Sequence, residues 1–176
     1  IIDPTAHEGL RIALQAGALC NDAHLVQHYS DNDTDYRWEI RGDPTEGALV
    51  VAAAKAGKRK ETLEDRFKRI DEVPFSSKTK WMATFHRTPE GKVWAFVKGA
   101  PETILDMSSQ YREDGTIRDM GREPRDRFEQ ANHKMADEAL RAEILTLAEE
   151  HELASTRETL QPQGVFAPLR RLLNRH

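Results

Sequence analysis

Apolar and polar residues alternate in two adjacent segments near the middle of the chain, residues 80–87 and 92–98. Both are rich in β-branched and aromatic side chains, and a Thr-Pro-Glu-Gly breaker cluster separates them. This pattern predicts an antiparallel hairpin. In its second strand Trp94, Phe96 and Lys98 share one face, so a lysine ends a row that begins with two aromatic rings.

Apolar residues recur at helical spacing in several other segments. Thr5 and Glu8 form a capping-box pattern at the first helix, and Asp43 as N-cap with Glu46 three residues later forms a second. The predicted helices cover residues 6–20, 44–56, 61–67, 100–107 and 124–141. In the second helix we expect a buried stripe of Leu49, Ala52, Ala53 and Ala56.

Further strands are predicted at residues 36–41, where Trp38 and Ile40 should face the core, and at residues 69–75. A tight turn signal predicts a small hairpin near residues 111–117. Residues 143–149 fit either a strand or a continuation of the preceding helix, because their apolar residues also fit helical spacing. These elements predict an α+β fold with a mainly antiparallel sheet flanked by helices.

Composition narrows the class of protein. The chain has 176 residues, 38% of them hydrophobic and 32% charged, with a net charge of -4. We expect no nucleic-acid partner, because the basic run at Lys55, Lys58, Arg59 and Lys60 is followed at once by acidic residues and indicates a solvated surface. The longest apolar run, residues 48–54, is too short to cross a bilayer, so we expect no direct membrane contact by this chain.

Metal and cysteine chemistry have little support in the sequence. Cys20 is the single cysteine, which excludes an internal disulfide and fits a reducing cytosol. His24 and His28 have helical i,i+4 spacing, but no third ligand can be named, so we expect no metal site. For a chain of this length we expect a single compact domain that is monomeric.

The end of the predicted hairpin carries the first candidate chemistry. Lys98 and Gly99 lie where a strand meets a helix that begins with Pro101 and Glu102. A helix start with unpaired N–H groups, a lysine and a glycine suits an anion such as phosphate. The alternative is an ordinary strand-to-helix turn whose lysine merely reaches water.

A polar bend before the hairpin carries the second candidate. Phe75 lies at its entrance and Lys80 at its exit, with hydroxyl side chains between them. An aromatic ring beside lysines and hydroxyls suits a flat heterocycle that carries phosphates. The alternative is that Phe75 is a plain core residue.

Three motifs therefore stand in order: Gly-Asp-Pro-Thr-Glu at residues 42–46, Pro-Phe-Ser-Ser-Lys-Thr-Lys-Trp-Met at 74–82, and Lys-Gly-Ala-Pro-Glu at 98–102. Together they resemble the nucleotide-binding (N) domain of P-type cation-transporting ATPases, nearest to the calcium-pump and sodium/potassium-pump branch. The resemblance extends from Gly17 to Arg141. It implies a nucleotide-binding core at residues 1–141, with residues 142–176 completing the same domain.

The resemblance implies a role for each matching residue. Phe75 would stack on adenine, and Glu46 would lie near the adenine amino group. The other matching positions would line the pocket or reach the phosphates: Lys80, Met82, Lys98, Gly99 and Arg141.

The same resemblance sets limits on activity. The phosphorylated aspartate of the Asp-Lys-Thr-Gly-Thr motif, the phosphatase motif and the magnesium-binding region of the family do not occur in this sequence. We therefore expect no catalytic residue and no turnover in the isolated chain, although the parent would hydrolyse ATP with Mg²⁺. A protein kinase is excluded, because no glycine-rich loop or His-Arg-Asp motif accompanies the strand lysine.

The resemblance also implies a setting. The chain would be a cytoplasmic domain of a membrane-embedded pump, with ATP and the pump's phosphorylation and actuator domains as partners. The transported ion cannot be inferred from these residues. A non-catalytic interaction domain that retains the fold without binding nucleotide is the alternative function.

Overall fold

The computed structural model describes Pro4, residues 6–29 and 36–138, and the backbone of residues 144–149. The described part of the chain contains five helices: α1 (Glu8–Leu19), α2 (Pro44–Lys55), α3 (Lys60–Arg66), α4 (Pro101–Met107) and α5 (Arg122–Asp137). It contains eight strands: β1 (His24–Tyr29), β2 (Tyr36–Arg41), β3 (Lys68–Ser76), β4 (Trp81–Arg87), β5 (Val93–Gly99), β6 (Gln110–Glu113), β7 (Thr116–Asp119) and β8 (Ile144–Glu149). The predicted α+β class is confirmed.

The central sheet has four strands in the order β3-β4-β5-β8, and every neighbouring pair is antiparallel. Two separate hairpins, β1-β2 and β6-β7, accompany it. The β4-β5 hairpin predicted from the central apolar segments is confirmed. Strand β8 resolves the ambiguity at residues 143–149 in favour of a strand, because it pairs with β5 along its whole length.

Both faces of the central sheet are covered. On one face Met82 and Phe96 pack against residues of α1, α2 and α3, with Trp94 at the margin. On the other face Trp81, Ala83, Phe85, Val93 and Ala95 pack with Ile104 of α4. Lys98 has the parity of Phe96, so it belongs to the face covered by α1, α2 and α3.

The two capping boxes predicted from the sequence can be compared with the N-caps of α1 and α2. At α2 the predicted N-cap is confirmed, because the Asp43 side chain accepts hydrogen bonds from the backbone N–H groups of Thr45 and Glu46. At α1 the predicted capping box is wrong. The N-cap is His7, without a side-chain capping bond, and the helix begins at Glu8.

Two further sequence predictions were wrong, and one strand was not predicted. Trp38 and Ile40 of β2 are 44% and 40% exposed rather than in the core. Strand β1 was not predicted from the sequence, which was assigned no element between the first helix and residue 36. In α2 the predicted stripe is correct only at Ala53, and the buried residues are Gly47, Val50 and Ala53.

The close approach of α2 to β2 explains that shift. A Cβ on Gly47 would overlap the side chain of Ile40, so the missing side chain of Gly47 allows the helix to lie directly against the strand. Glu46, in the same turn of α2, contacts Lys98 of the central sheet. No helix in the described part of the chain has the length and apolarity needed to span a membrane.

Candidate functional site

Lys98 lies near the end of β5 and is almost completely buried. Its side chain is 5% exposed, and its Nζ atom lies 2.8 Å from the Glu46 Oε1 atom. The backbone of Lys98 is paired with Met82 of β4. Lys98 therefore does not extend into water; it ends the aromatic row in a buried ion pair.

Glu46 lies in the first turn of α2, and its side chain is 16% exposed. The two carboxylate oxygens have different partners. Oε1 accepts from Lys98, while Oε2 accepts a hydrogen bond of 3.1 Å from the backbone N–H of Asp22. The Glu46 carboxylate therefore links α2 to the central sheet and to the turn after α1.

Gly99 is held tightly against the adjacent strand. The Ala100 N–H donates a 2.9 Å hydrogen bond to the Lys80 carbonyl, and Gly99 is paired with Trp81. A Cβ on Gly99 would come within 2.8 Å of the Trp81 Cα atom and closer still to the Lys80 carbonyl oxygen. Glycine is therefore required here by the approach of the protein's own backbone.

Lys80 closes the polar bend in an unusual conformation. Its φ of 60° lies in the left-handed region, and its N–H donates a 2.7 Å hydrogen bond to the Ser76 carbonyl. Its Nζ atom lies 3.3 Å from Glu102 Oε1, and both side chains are well exposed. The pKa of Glu102 is lowered, first by a hydrogen bond from its own backbone N–H and then by the Lys80 ammonium.

Phe75 is an exposed aromatic ring at the edge of the central sheet. It is 60% exposed, and it lies where the pairing of β3 with β4 shifts register between Val73 and Ser76. The bulge interrupts the alternation that would otherwise bury this position. The alternative interpretation of Phe75 as a core residue is wrong.

Met82 and Cys20 lie beneath the lysine. Met82 is 2% exposed, and its carbonyl lies 3.8 Å from the Cys20 thiol, which is itself buried. Burial raises the pKa of Cys20 to about 11, and the nearby Lys98 opposes this rise only in part. Cys20 is therefore an unreactive, protonated packing residue at neutral pH.

The structure brings two sets of predicted site residues together. In the first, Glu46 contacts Lys98, and Met82 pairs with Lys98 on the neighbouring strand. In the second, the Lys80 carbonyl accepts from the residue after Gly99, and Phe75 lies one residue before Ser76, which pairs with Trp81 at the same end of the sheet. Arg141 lies outside the described residues.

No metal cluster accompanies this arrangement. Among the residues that the structure describes, no group of three or more His, Cys, Asp or Glu side chains could hold a metal ion. His24 and His28 lie on strand β1 rather than on a helix, and His28 Nε2 lies 2.8 Å from Glu39 Oε2.

Sequence reasoning missed the residues beneath Glu46. Asn21 is fully buried and Lys60 is 2% exposed. The prediction that the basic run is a solvated surface was therefore wrong at Lys60. The signal that was available is the position of Lys60 at the start of a helix that carries Leu63 and Phe67 toward the core.

Comparison with known proteins identifies the family of the chain. The chain matches the family described as P-type ATPase, cytoplasmic domain N, over residues 9–163. It is 42% identical over 118 residues to "Probable cation-transporting ATPase F" of Mycobacterium tuberculosis, a match that covers 66% of this chain and 12% of that protein.

Two other relatives are named as calcium-transporting ATPases. The chain is 34% identical over 140 residues to "Calcium-transporting ATPase" of Bacillus subtilis, covering 80% of this chain and 15% of that protein. It is 35% identical over 143 residues to "Calcium-transporting ATPase type 2C member 1" of Homo sapiens, covering 80% and 14%. The chain thus spans only a small part of the relatives it matches. Because the family match covers most of its residues, the chain belongs to the family of cytoplasmic N domains of P-type ATPases.

Proposed function

We propose that this chain binds ATP at the end of the central sheet formed by β3, β4 and β5, and that it holds the nucleotide for phosphoryl transfer to an aspartate on a separate domain. The observation that carries the proposal is that the buried pair of Lys98 and Glu46 and the exposed ring of Phe75 occur at the same end of the central sheet. A buried cation and an accessible aromatic ring at one sheet end suit a flat base joined to an anion.

Phe75 supports recognition of the base. Its ring is 60% exposed, although most large apolar residues of the central sheet are buried. An exposed ring offers a stacking surface without any rearrangement of the core, and base–aromatic stacking contributes about 1–3 kcal/mol. In the proposal the Glu46 carboxylate would use a further lone pair to accept a hydrogen bond from the exocyclic amino group of adenine.

Lys98 supports recognition of the nucleotide's charge. An ammonium group has three donors, and Glu46 accepts from it in the structure. The proposal requires that further donors of this ammonium turn to a phosphate when ATP is bound. Lys80 would add an exposed cation, because exchange of Glu102 for a phosphate group requires only a surface side chain to move.

The parent protein supplies the rest of the reaction in this proposal. ATP would be presented to the pump's phosphorylation domain, with the actuator domain as a further partner and Mg²⁺ held mainly outside this chain. The relatives named for cation and calcium transport support a cation pump as the parent. The isolated domain would bind weakly and without turnover, because an open pocket leaves phosphates in water.

Calorimetric titration with ATP tests the proposal. The unaltered chain should bind ATP, and Lys98→Met should strongly weaken the binding, because it removes the ammonium without burying a second carboxylate beside Glu46. Lys92→Met is the control, since Lys92 is exposed and precedes the opposite end of β5. Lack of binding by the unaltered chain, or equal affinity of the Lys98 and Lys92 variants, would contradict the proposal and favour an interaction domain without a ligand.

A further inference from the structure

The turn between α1 and β1, residues 21–23, holds Glu46 at two points. The backbone N–H of Asp22 donates to Glu46 Oε2 at 3.1 Å, and the side-chain amide of Asn21 donates to the Glu46 carbonyl at 2.9 Å. One short turn therefore fixes both the carboxylate of Glu46 and the backbone that carries it.

Lys60 holds this turn from the protein interior. Its Nζ atom donates to the carbonyls of Asn21 at 2.7 Å and Ala23 at 2.9 Å, the two carbonyls that flank Asp22. Its side chain is 1% exposed, and the nearest carboxylate, Glu64, is 3.7 Å away. The ammonium group is thus used mainly to fix two backbone carbonyls.

Burial of this lysine is unfavourable in itself. Desolvation lowers the pKa of Lys60, and the charges of Glu64 and Asp22 compensate only in part. An apolar side chain would fill the same space without that penalty. A merely space-filling role therefore does not account for a charged group at this position.

Further hydrogen bonds and a close backbone contact also fix the turn at residues 21–23. The Asn21 amide donates a second hydrogen bond of 2.9 Å to the Gly17 carbonyl, and its oxygen accepts from the Ala23 N–H at 2.8 Å. Gly42, with φ of +121°, approaches so closely that a Cβ there would lie 2.8 Å from the Ala23 Cα atom. With these constraints the direction of the Asp22 N–H is set by groups outside the candidate pocket.

We propose that Lys60 and Asn21 are positioning residues for nucleotide recognition. They orient the Asp22 N–H, and this N–H orients the Glu46 carboxylate. The carboxylate in turn holds the Lys98 ammonium at the floor of the pocket. This inference rests on the proposed ATP binding. It assigns the affinity of the site in part to a lysine that does not contact the ligand.

The test compares Lys60→Met with Leu63→Ala. Both residues are buried on α3, but Leu63 lies in the apolar core and has no hydrogen-bonding side chain. ATP affinity is measured by calorimetry at a temperature at which both variants are folded. Lys60→Met should bind ATP about tenfold more weakly, which corresponds to ~1.4 kcal/mol. Leu63→Ala should have a lowered unfolding midpoint and an unchanged affinity.

Two results would overturn the inference. One is normal affinity in Lys60→Met; the other is an equal loss in both variants, which would show that general destabilisation is responsible. Failure of the unaltered chain to bind ATP would instead contradict the proposed function on which the inference rests.

A second measurement remains decisive if Lys60→Met does not fold. In the unaltered chain, the Asp22 amide resonance should shift along the same ATP saturation curve as the Lys98 amide resonance, because the Asp22 N–H and the Lys98 side chain both contact Glu46. A shift at Lys98 with a silent Asp22 amide would overturn the inference while leaving ATP binding intact.

Discussion

Removal of the charge of Glu46 gives the sharpest quantitative test of the buried pair. In Glu46→Gln the Lys98 ammonium stays 95% shielded from solvent but loses its counter-charge, since its side chain is 5% exposed. Breaking a fully buried pair costs about 3–5 kcal/mol. Because the Glu46 side chain is 16% exposed, we expect a smaller loss of about 2–4 kcal/mol in the free energy of unfolding.

The pairwise part of this loss is isolated by a double-mutant cycle. Lys98→Met removes the cation and keeps a chain of similar length, so the double variant no longer contains an unpaired buried charge. It should be less destabilised than the sum of the single variants, with a coupling energy of about 1.5–3 kcal/mol, as for hydrogen bonds to charged groups. Urea denaturation followed by tryptophan fluorescence measures all four free energies.

The exposed pair of Lys80 and Glu102 is the matched control. These side chains are 59% and 61% exposed, so their coupling should be about 0–1 kcal/mol. It should vanish in about 1 M salt, where the Debye length is ~3 Å, whereas the coupling of Lys98 with Glu46 should persist. A coupling below about 0.5 kcal/mol for Lys98 and Glu46, or one removed by salt, would refute the reasoning that this pair is buried and structurally important.

Three further outcomes are expected. Phe75→Ala should weaken ATP binding about tenfold in calorimetry, as loss of base stacking predicts, with little change in the unfolding midpoint because the ring is exposed. Gly99→Ala should lower the free energy of unfolding in urea by about 1–3 kcal/mol, since its Cβ would overlap the backbone of Trp81 and Lys80. Burial lowers the pKa of His86 from 6.5 to about 4, so acid titration should show stability that is complete above pH 6.5 and lost toward pH 4.

Each of these has an outcome that would count against it. Global unfolding of Phe75→Ala would indicate a core ring after all. Unchanged stability of Gly99→Ala would mean that β4 and β5 separate easily at this end. The acid loss in stability attributed to His86 should reach at most ~3 kcal/mol and should be absent from His86→Phe; its persistence there would assign it to other groups.

Local signals in the sequence were sufficient for much of the fold. The Thr-Pro-Glu-Gly breaker and the alternating residues around it defined the β4-β5 hairpin, and Asp43 with Pro44 defined the start of α2. These signals depend on groups within a few residues of one another, so they can be evaluated without the tertiary structure.

Contacts between distant segments could not be predicted in this way. The side chains of Glu46 and Lys98 meet although 52 positions separate them, and the Lys60 ammonium reaches a carbonyl 39 positions away. In the alanine-rich helix α2 several faces are apolar, so the buried face was decided by the contact of Gly47 with Ile40 rather than by periodicity. The charges around Lys60 favoured a solvated surface, and its helical spacing with Leu63 and Phe67 was the weaker signal that pointed to burial.

A backbone irregularity explains why Phe75 is exposed, whereas strand alternation predicts that it is buried. Phe75 follows Val73 with strand spacing, and regular alternation would place both on one face. The register shift between Val73 and Ser76 leaves Phe75 exposed, and a bulge of this kind depends on the partner strand. The motif that carries the resemblance predicted an accessible ring at Phe75, which the structure shows, whereas alternation alone favoured the core.

In the proposed complex, ATP binds between Phe75 and the Lys98–Glu46 pair. Titration of the ¹⁵N-labelled chain with ATP, followed by amide NMR, would show where the nucleotide binds. We expect saturable shifts centred on Phe75, Lys98 and Gly99, with the hairpin β6-β7 unaffected. No shifts at millimolar ATP, or shifts centred elsewhere in the chain, would contradict it.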